Sequence, residues 1–275
     1  MNGLKGLCRR AAIGALLTGI SAGANAEWGV STGVVTLSPC PSFCGGQGSA
    51  FGNDSHPNLF GETSSSTLTN EDGNGTASAT LFGTNQLPDL KADAVSHAQN
   101  GAQRSSLVTA QATGMREFVY DGASSVTSLN VVLTGSAVSA AGVPGSVVAQ
   151  IVAVKGLDVP FSTSFGTFVF EIIPLTPGLT LIDTLELEIP ANQGSTSVTG
   201  AINIALDPGD HLFIWANLVA SGTRGGSGDA SHTLTSSFSS AAGLTAVTAV
   251  PIPAALPLML SGLVGLRFRR ALQAA

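Results

Sequence analysis

The stretch Leu185-Glu186-Leu187-Glu188-Ile189 decides the fold class, because its apolar and acidic residues alternate strictly. Successive side chains of a β-strand point to opposite faces, so the pattern predicts a strand with Leu185, Leu187 and Ile189 facing a core and both glutamates facing solvent. The apolar stretches Val147–Val154 and Gly166–Ile173 predict strands of similar clarity.

Shorter apolar runs extend this pattern along the chain, separated by Gly, Pro, Asn or Asp. They predict strands at Thr76–Phe82, Leu90–Ala98, Ser105–Val119, Val126–Thr134, Ser195–Leu206, His211–Val219 and Ser231–Phe238. Asp207-Pro-Gly-Asp210 predicts a tight turn, and Gly222–Gly228 a Gly-rich loop. About ten short strands with turns between them predict an all-β protein, an antiparallel β-sandwich over residues 76–249, preceded by a loop-rich segment at 27–75.

The amino-terminal segment, residues 1–26, has the layout of a secretory signal peptide with a signal helix. Its parts are the basic residues Lys5, Arg9 and Arg10, the apolar region Ala11–Ala22, and a small-x-small cleavage site, Ala24-Asn25-Ala26. Cleavage by signal peptidase after Ala26 would leave Glu27 as the first residue. Cys8 precedes the apolar region, which disfavours a lipoprotein.

The carboxy-terminal segment, residues 250–275, predicts a short apolar helix that inserts transiently into the inner membrane. It combines Val250-Pro-Ile-Pro-Ala254, an uncharged run from Ala254 to Leu266, and Arg267, Arg269 and Arg270. The run has 13 residues, about 20 Å of helix against a hydrocarbon core of about 30 Å. The arginines are expected to stay cytoplasmic, which leaves the rest of the chain on the other side of the membrane. A buried helix that ends a soluble domain is the less favoured alternative.

This tail resembles the PEP-CTERM sorting signals, in the subgroup written Val-Pro-x-Pro-Ala. The matching residues are Val250, Pro251, Pro253, Ala254, the apolar run and the arginines, whereas Ile252 stands where the main form has glutamate. The resemblance implies that exosortase, a membrane-embedded transpeptidase, recognises and removes the tail. It also implies a jelly-roll-like body, delivered to the cell envelope, the cell surface or the extracellular polysaccharide matrix of biofilms in a Gram-negative bacterium.

The charge of the predicted mature interval, residues 27–249, is strongly negative. Five basic residues remain there, Lys91, Arg104, Arg116, Lys155 and Arg224, against 17 acidic ones, for a formal net charge of −12. Such a chain is repelled by nucleic acid and by anionic membranes, and it could recruit divalent cations.

Cys40 and Cys44 are the cysteines that remain after signal removal. In an oxidising compartment they predict a disulfide that closes a small loop flanked by Pro and Gly. A thioredoxin-like redox site would need two intervening residues rather than three, and a zinc site would need further ligands.

Sequence motifs for catalysis are absent, and His56, His97, His211 and His232 are isolated in the sequence.

Asn70, Asp72 and Asn74 alternate as calcium ligands do, but a solvated turn is the favoured interpretation because the downstream glutamate is missing. Of Trp28, Tyr120 and Trp215, which could stack on sugars, Trp215 lies in an apolar strand and is expected in the core.

Three hypotheses follow. The favoured one is a non-enzymatic exported protein without a cofactor, sorted by an exosortase-like system. The second is a carbohydrate-binding module for exopolysaccharide, which exposed aromatic rings would favour and buried ones would disfavour. The third is a secreted hydrolase.

Overall fold

A computed structural model describes residues 29–37, 63–70, 73–81, 87–97, 107–140 and 145–247, apart from positions 158, 161, 163 and 193. These residues form twelve strands: β1 Gly29–Leu37, β2 Thr63–Asn70, β3 Gly73–Thr80, β4 Asp89–Ser96, β5 Leu107–Tyr120, β6 Ser125–Val138, β7 Ser146–Lys155, β8 Thr180–Ile189, β9 Thr196–Leu206, β10 His211–Thr223, β11 Ser227–Phe238 and β12 Leu244–Ala246. A short helical segment, Thr167–Ile172 followed by Ile173–Leu175, lies between β7 and β8.

The strands build two antiparallel sheets. Sheet A has the order β1-β5-β10-β7-β8, with β12 added beside β5, and sheet B has the order β2-β3-β4-β11-β6-β9. The main core lies between them and includes Leu90 and Leu129 of sheet B and Ile151 and Ile214 of sheet A. The predicted all-β sandwich is therefore confirmed, whereas the predicted signal helix and the carboxy-terminal helix lie outside the described residues. Within the described part, no helix is long and apolar enough to cross a membrane.

Strict alternation locates β8 correctly. Leu187 and Ile189 are buried, Leu185 is half-buried, and Glu186 and Glu188 are exposed. The predicted turn at Asp207–Asp210 is also present. Gly209 has φ of +88°, and the Asp210 N–H donates to the Asp207 carbonyl oxygen at 3.0 Å.

The predicted strand at Gly166–Ile173 is wrong, because this stretch is helical. Phe165, Phe168, Val169, Ile172 and Ile173 face the sheet at positions i, i+3, i+4, i+7 and i+8, which is the helical period. They cover the outer face of sheet A, where they form a second apolar cluster with Met115, Val152, Val154, Phe213 and Trp215. We call the connection from Gly156 to Leu179 the cap.

The loop-rich prediction for residues 27–75 is wrong at β1, at β2 and at the first residues of β3. Both β1 and β2 are rich in hydroxyl residues, which lack a strong apolar alternation but suit a strand when their side chains find partners. Thr32 Oγ1 lies 2.9 Å from both Ser64 Oγ and Ser66 Oγ, so the two sheets join here through hydroxyl groups. The sandwich therefore begins earlier than residue 76.

The predicted Gly-rich loop at Gly222–Gly228 is wrong in its extent. Strand β10 continues to Thr223 and β11 begins at Ser227. The turn uses Arg224 and Gly225, whose φ angles are +54° and +87°. Two positive φ angles in a short connection suit the right-handed twist of the flanking strands.

Candidate functional site

Most of the predicted site residues lie outside the described part of the chain. These are the sorting residues Val250, Pro251, Pro253, Ala254, Arg267, Arg269 and Arg270, the cleavage residues Ala24 and Ala26, and the cysteines Cys40 and Cys44. Trp28, His56 and Asp72 also lie outside it, as do the side chains of Asn70 and His232. These assignments stay predictions.

Trp215 and Tyr120, the tryptophan and the tyrosine of the described residues, do not form a sugar-binding platform. Trp215 is 0% exposed and Tyr120 is 4% exposed. The Trp215 ring stacks on Phe168 with 5.3 Å between centroids, and its Nε1–H donates to the Ser162 carbonyl oxygen at 2.6 Å. The prediction that Trp215 packs in a core is confirmed, although that core is the cluster under the cap.

The outer face of β2 and β3 carries an array of seven hydroxyl groups and one side-chain amide. The register places Thr63 opposite Thr80, Ser65 opposite Ser78, Thr67 opposite Thr76, and Thr69 opposite Asn74. All eight side chains are exposed or half-buried. Neighbouring strands lie about 4.8 Å apart and alternate residues of one strand about 6.7 Å apart, so the groups form a regular, uncharged lattice. We call these eight residues the hydroxyl array.

The inner face of the same hairpin fixes the array against sheet A. Gly73, Gly75, Ala77 and Ala79 of β3 all face inward, so the backbone approaches β1 and β5 closely. A Cβ atom on Gly75 would lie 2.8 Å from Val34 Cγ1, which leaves no room for a larger residue. The array is therefore carried on a backbone that packing holds in place.

Two carboxylates adjoin the array on the same face of sheet B. Asp93 lies opposite Thr76 on one side and opposite Asp229 on the other. Partial burial, and then the negative charge of Asp229, raise the pKa of Asp93 above its ordinary value. Calcium takes six or more oxygen ligands, and no group of three or more His, Cys, Asp or Glu in the described residues could hold a metal ion. The pair is thus not a metal centre on these residues alone.

A bulge in β11 follows this carboxylate pair. Ala230 lies opposite Ala92 and Leu234 opposite Leu90, so β11 contains two more residues than β4 over this interval. The Ser231 N–H donates to Asp229 Oδ1 at 2.8 Å and fixes that carboxylate. A β-bulge bends its strand and changes the direction of the side chains that follow. Bulges occur next to binding sites, but they also occur where they have only a structural role.

A buried carboxylate–histidine pair lies at the far end of sheet A. Glu117 Oε1 is 2.6 Å from His211 Nδ1, and the Glu117 side chain is 4% exposed against 32% for His211. Such a carboxylate orients an imidazole, but hydrolysis by a triad also needs a nucleophile held against the histidine. None of the hydrogen bonds of the described residues joins a serine hydroxyl to His211.

Lys155 and Asp210 form a salt bridge at the same end of sheet A. Burial would raise the pKa of Asp210, but hydrogen bonds from Lys155 and from the Asp207 N–H, with the charges of Lys155 and His211, lower it below its ordinary value. Asp210, the partner of Lys155, ends the β9–β10 turn, and His211, the partner of Glu117, begins β10, so both contacts fix the geometry of that turn.

Comparison with known proteins gives no family. No family model matches the chain, and no curated protein matches it. Among solved structures, the chain is similar to the enzymatically active domain of tailspike protein 4 of bacteriophage CBA120, at 11% identity and a TM-score of 0.27, over 67% of this chain and 19% of that one. It is also similar to a carbohydrate-binding module of the β-sandwich superfamily, at 10% identity and a TM-score of 0.25, over 64% of this chain and 57% of that one. The chain spans less than two thirds of the length of each of these two structures. Similarities with TM-scores this low carry no functional argument.

Proposed function

We propose that the chain is an exported, non-enzymatic β-sandwich that its carboxy-terminal tail sorts to the cell envelope or the extracellular matrix of a Gram-negative bacterium. The observation that supports this most is the position of the body between the two predicted signals. Strand β1 begins at Gly29, after the predicted cleavage site at Ala26, and strand β12 ends at Ala246, before the sorting motif at Val250. Removal of both signals would leave every described strand in place.

Both ends of the body lie on one edge of β5, which fits this processing. Gly29 pairs opposite Met115 and Ala246 opposite Phe118, so the two ends leave the body three positions apart on the same strand. A signal peptide and a tail attached there would tether the same end of the sandwich to the inner membrane. Signal peptidase and an exosortase-like transpeptidase would then cut neighbouring connections.

Deletion of residues 250–275 tests this function. We expect the shortened chain to keep its melting temperature, because no described strand is removed, and to lose the membrane-bound precursor and the surface-attached product. Fractionation of the native host into inner membrane, outer envelope, periplasm and medium would show the shortened chain as soluble only. An unchanged distribution between these fractions would contradict the proposal.

A second candidate function is the binding of a neutral polysaccharide, and the hydroxyl array favours it. The eight array residues are uncharged and present hydrogen-bond donors and acceptors at regular spacing. The hydroxyl groups of a neutral glycan also donate and accept hydrogen bonds, so the two surfaces are complementary. The acidic character of the mature chain would repel an acidic polysaccharide. Because Trp215 and Tyr120 are buried, binding at the hydroxyl array would rely on hydrogen bonds rather than on stacking against these two rings.

Replacing Thr67 and Thr76 together by valine tests this candidate. Valine keeps the shape and the β propensity of threonine and removes two opposed hydroxyl groups, so we expect at least about fivefold weaker binding to an insoluble neutral glucan. Thr199→Val, an exposed position on β9 of the same sheet, is the matched control and should bind like the unmodified chain. Equal binding by all three chains, or none by the unmodified one, would remove this candidate.

A further inference from the structure

Exposed apolar side chains concentrate around the cap. Six large apolar residues of the described part are strongly exposed, and four of them lie between residues 157 and 181: Leu157 at 59%, Phe170 at 72%, Leu175 at 77% and Leu181 at 40%. We call these four residues the apolar patch. Exposed apolar surface that gathers in one region marks an interaction site more often than scattered residues do.

The patch is presented by a segment that packing holds firmly. Phe168 and Ile173 are buried against Trp215 and its neighbours, and they fix one side of the helical segment. Phe170, Glu171, Pro174 and Leu175 form its exposed side, at positions i, i+1, i+4 and i+5. Three of these four side chains are apolar, yet within the described part of the chain they are exposed to solvent.

The carboxy-terminal tail leaves the body at the level of this patch. The Val247 N–H donates to the Glu117 carbonyl oxygen at 3.0 Å. Glu117 lies opposite Phe213, and Phe213 opposite Val154, so these residues form one row across sheet A. At about 4.8 Å per strand, Val247 lies about 14 Å from Val154, which is two positions before the start of the cap. The 28 residues from 248 to 275 therefore start about three strand spacings from the beginning of the cap, on the same row of sheet A.

We propose that the apolar patch enters the interface of a neutral lipid bilayer next to the inserted tail. This inference rests on the proposed function. The 13-residue apolar run of the tail is a marginal anchor, and stable attachment of a protein to a membrane usually takes two signals. The patch supplies the second one, and the acidic body favours zwitterionic lipid over anionic lipid. Removal of the tail then weakens both contacts and releases the protein.

Partition of the full chain into phosphatidylcholine vesicles tests the inference. We expect Phe170→Ser with Leu175→Ser to weaken partition at least about tenfold, because two large apolar side chains no longer leave water. Val126→Ser with Val138→Ser is the matched control, because these two residues are 71% and 48% exposed on β6 of sheet B and are not part of the apolar patch. The control should partition like the unmodified chain.

Hydroxyl-radical footprinting of the unmodified chain gives an independent readout. On vesicles, we expect Phe170 to be oxidised several-fold less than in a chain that ends at Ala249, with no change at Val126. Vesicle binding that depends on the tail but not on Phe170 and Leu175, together with an unchanged footprint, would overturn this inference and leave the proposed function intact. Equal vesicle binding by the full and the shortened chain would overturn both.

Discussion

Replacing Trp215 by alanine is expected to lower the free energy of unfolding by about 3–5 kcal/mol, the range for large aromatic residues deleted from a core. The side chain is fully buried and stacks on Phe168, and its Nε1–H is bonded to Ser162. The change therefore leaves a cavity and a carbonyl group without its donor. Urea denaturation at an unchanged m value measures the loss.

Phe170→Ala is the matched control for Trp215→Ala. Phe170 lies in the same cap but is 72% exposed, so its removal should change the free energy of unfolding by less than about 0.5 kcal/mol. Hydrogen exchange should show the cap opening faster in the Trp215 variant alone. A loss below about 1 kcal/mol for Trp215→Ala would mean that the cap does not pack on sheet A as described.

Replacing Gly228 by alanine is expected to lower the free energy of unfolding by about 1–3 kcal/mol through overpacking. Gly228 lies on the inner face of β11, where sheet B approaches the backbone of sheet A. An added Cβ would lie 2.3 Å from the Ser146 carbonyl oxygen and 3.0 Å from the Ser221 backbone. These neighbours are backbone atoms, so one sheet must move.

Gly194→Ala is the control for the glycine substitution. Gly194 lies between β8 and β9, and an added Cβ there meets nothing within 4 Å. Its substitution should leave the free energy of unfolding within about 0.5 kcal/mol of that of the unmodified chain. Thermal unfolding of both variants compares them directly, and equal stability would contradict the close approach of the two sheets at Gly228.

The alternation of apolar and polar residues predicts those strands that have one face in the core and one face exposed to solvent. Strand β8 is the clearest case, since Glu186 and Glu188 mark its exposed side. At Gly166–Ile173 the apolar run predicts a strand, but the segment is helical and its apolar residues follow the helical spacing. Short apolar runs are ambiguous because a sheet face and a covering helix both need buried side chains.

The strands β1 and β2 were missed because their stability depends on distant partners. Ser64 and Ser66 alternate with exposed hydroxyl residues, so no contrast in polarity marks the buried side. Their burial follows from Thr32, more than thirty positions away, which bonds to both. Local patterns do not reveal partners at this separation.

The candidate sites depend on topology in the same way. Glu117 and His211 are 94 positions apart, and only the pairing of β5 with β10 brings them together. Asp93 and Asp229 meet only because β4 and β11 are neighbours in sheet B. The hydroxyl array lies in a Ser- and Thr-rich stretch, but its opposed rows depend on the hairpin register.

Mass spectrometry of the two ends of the protein from its native host tests the central claim most directly. The account predicts a chain that begins at Glu27 and ends near Pro251, recovered outside the inner membrane. A chain in the inner membrane that keeps Arg267, Arg269 and Arg270 would contradict it, because the tail would then be a permanent anchor rather than a sorting signal.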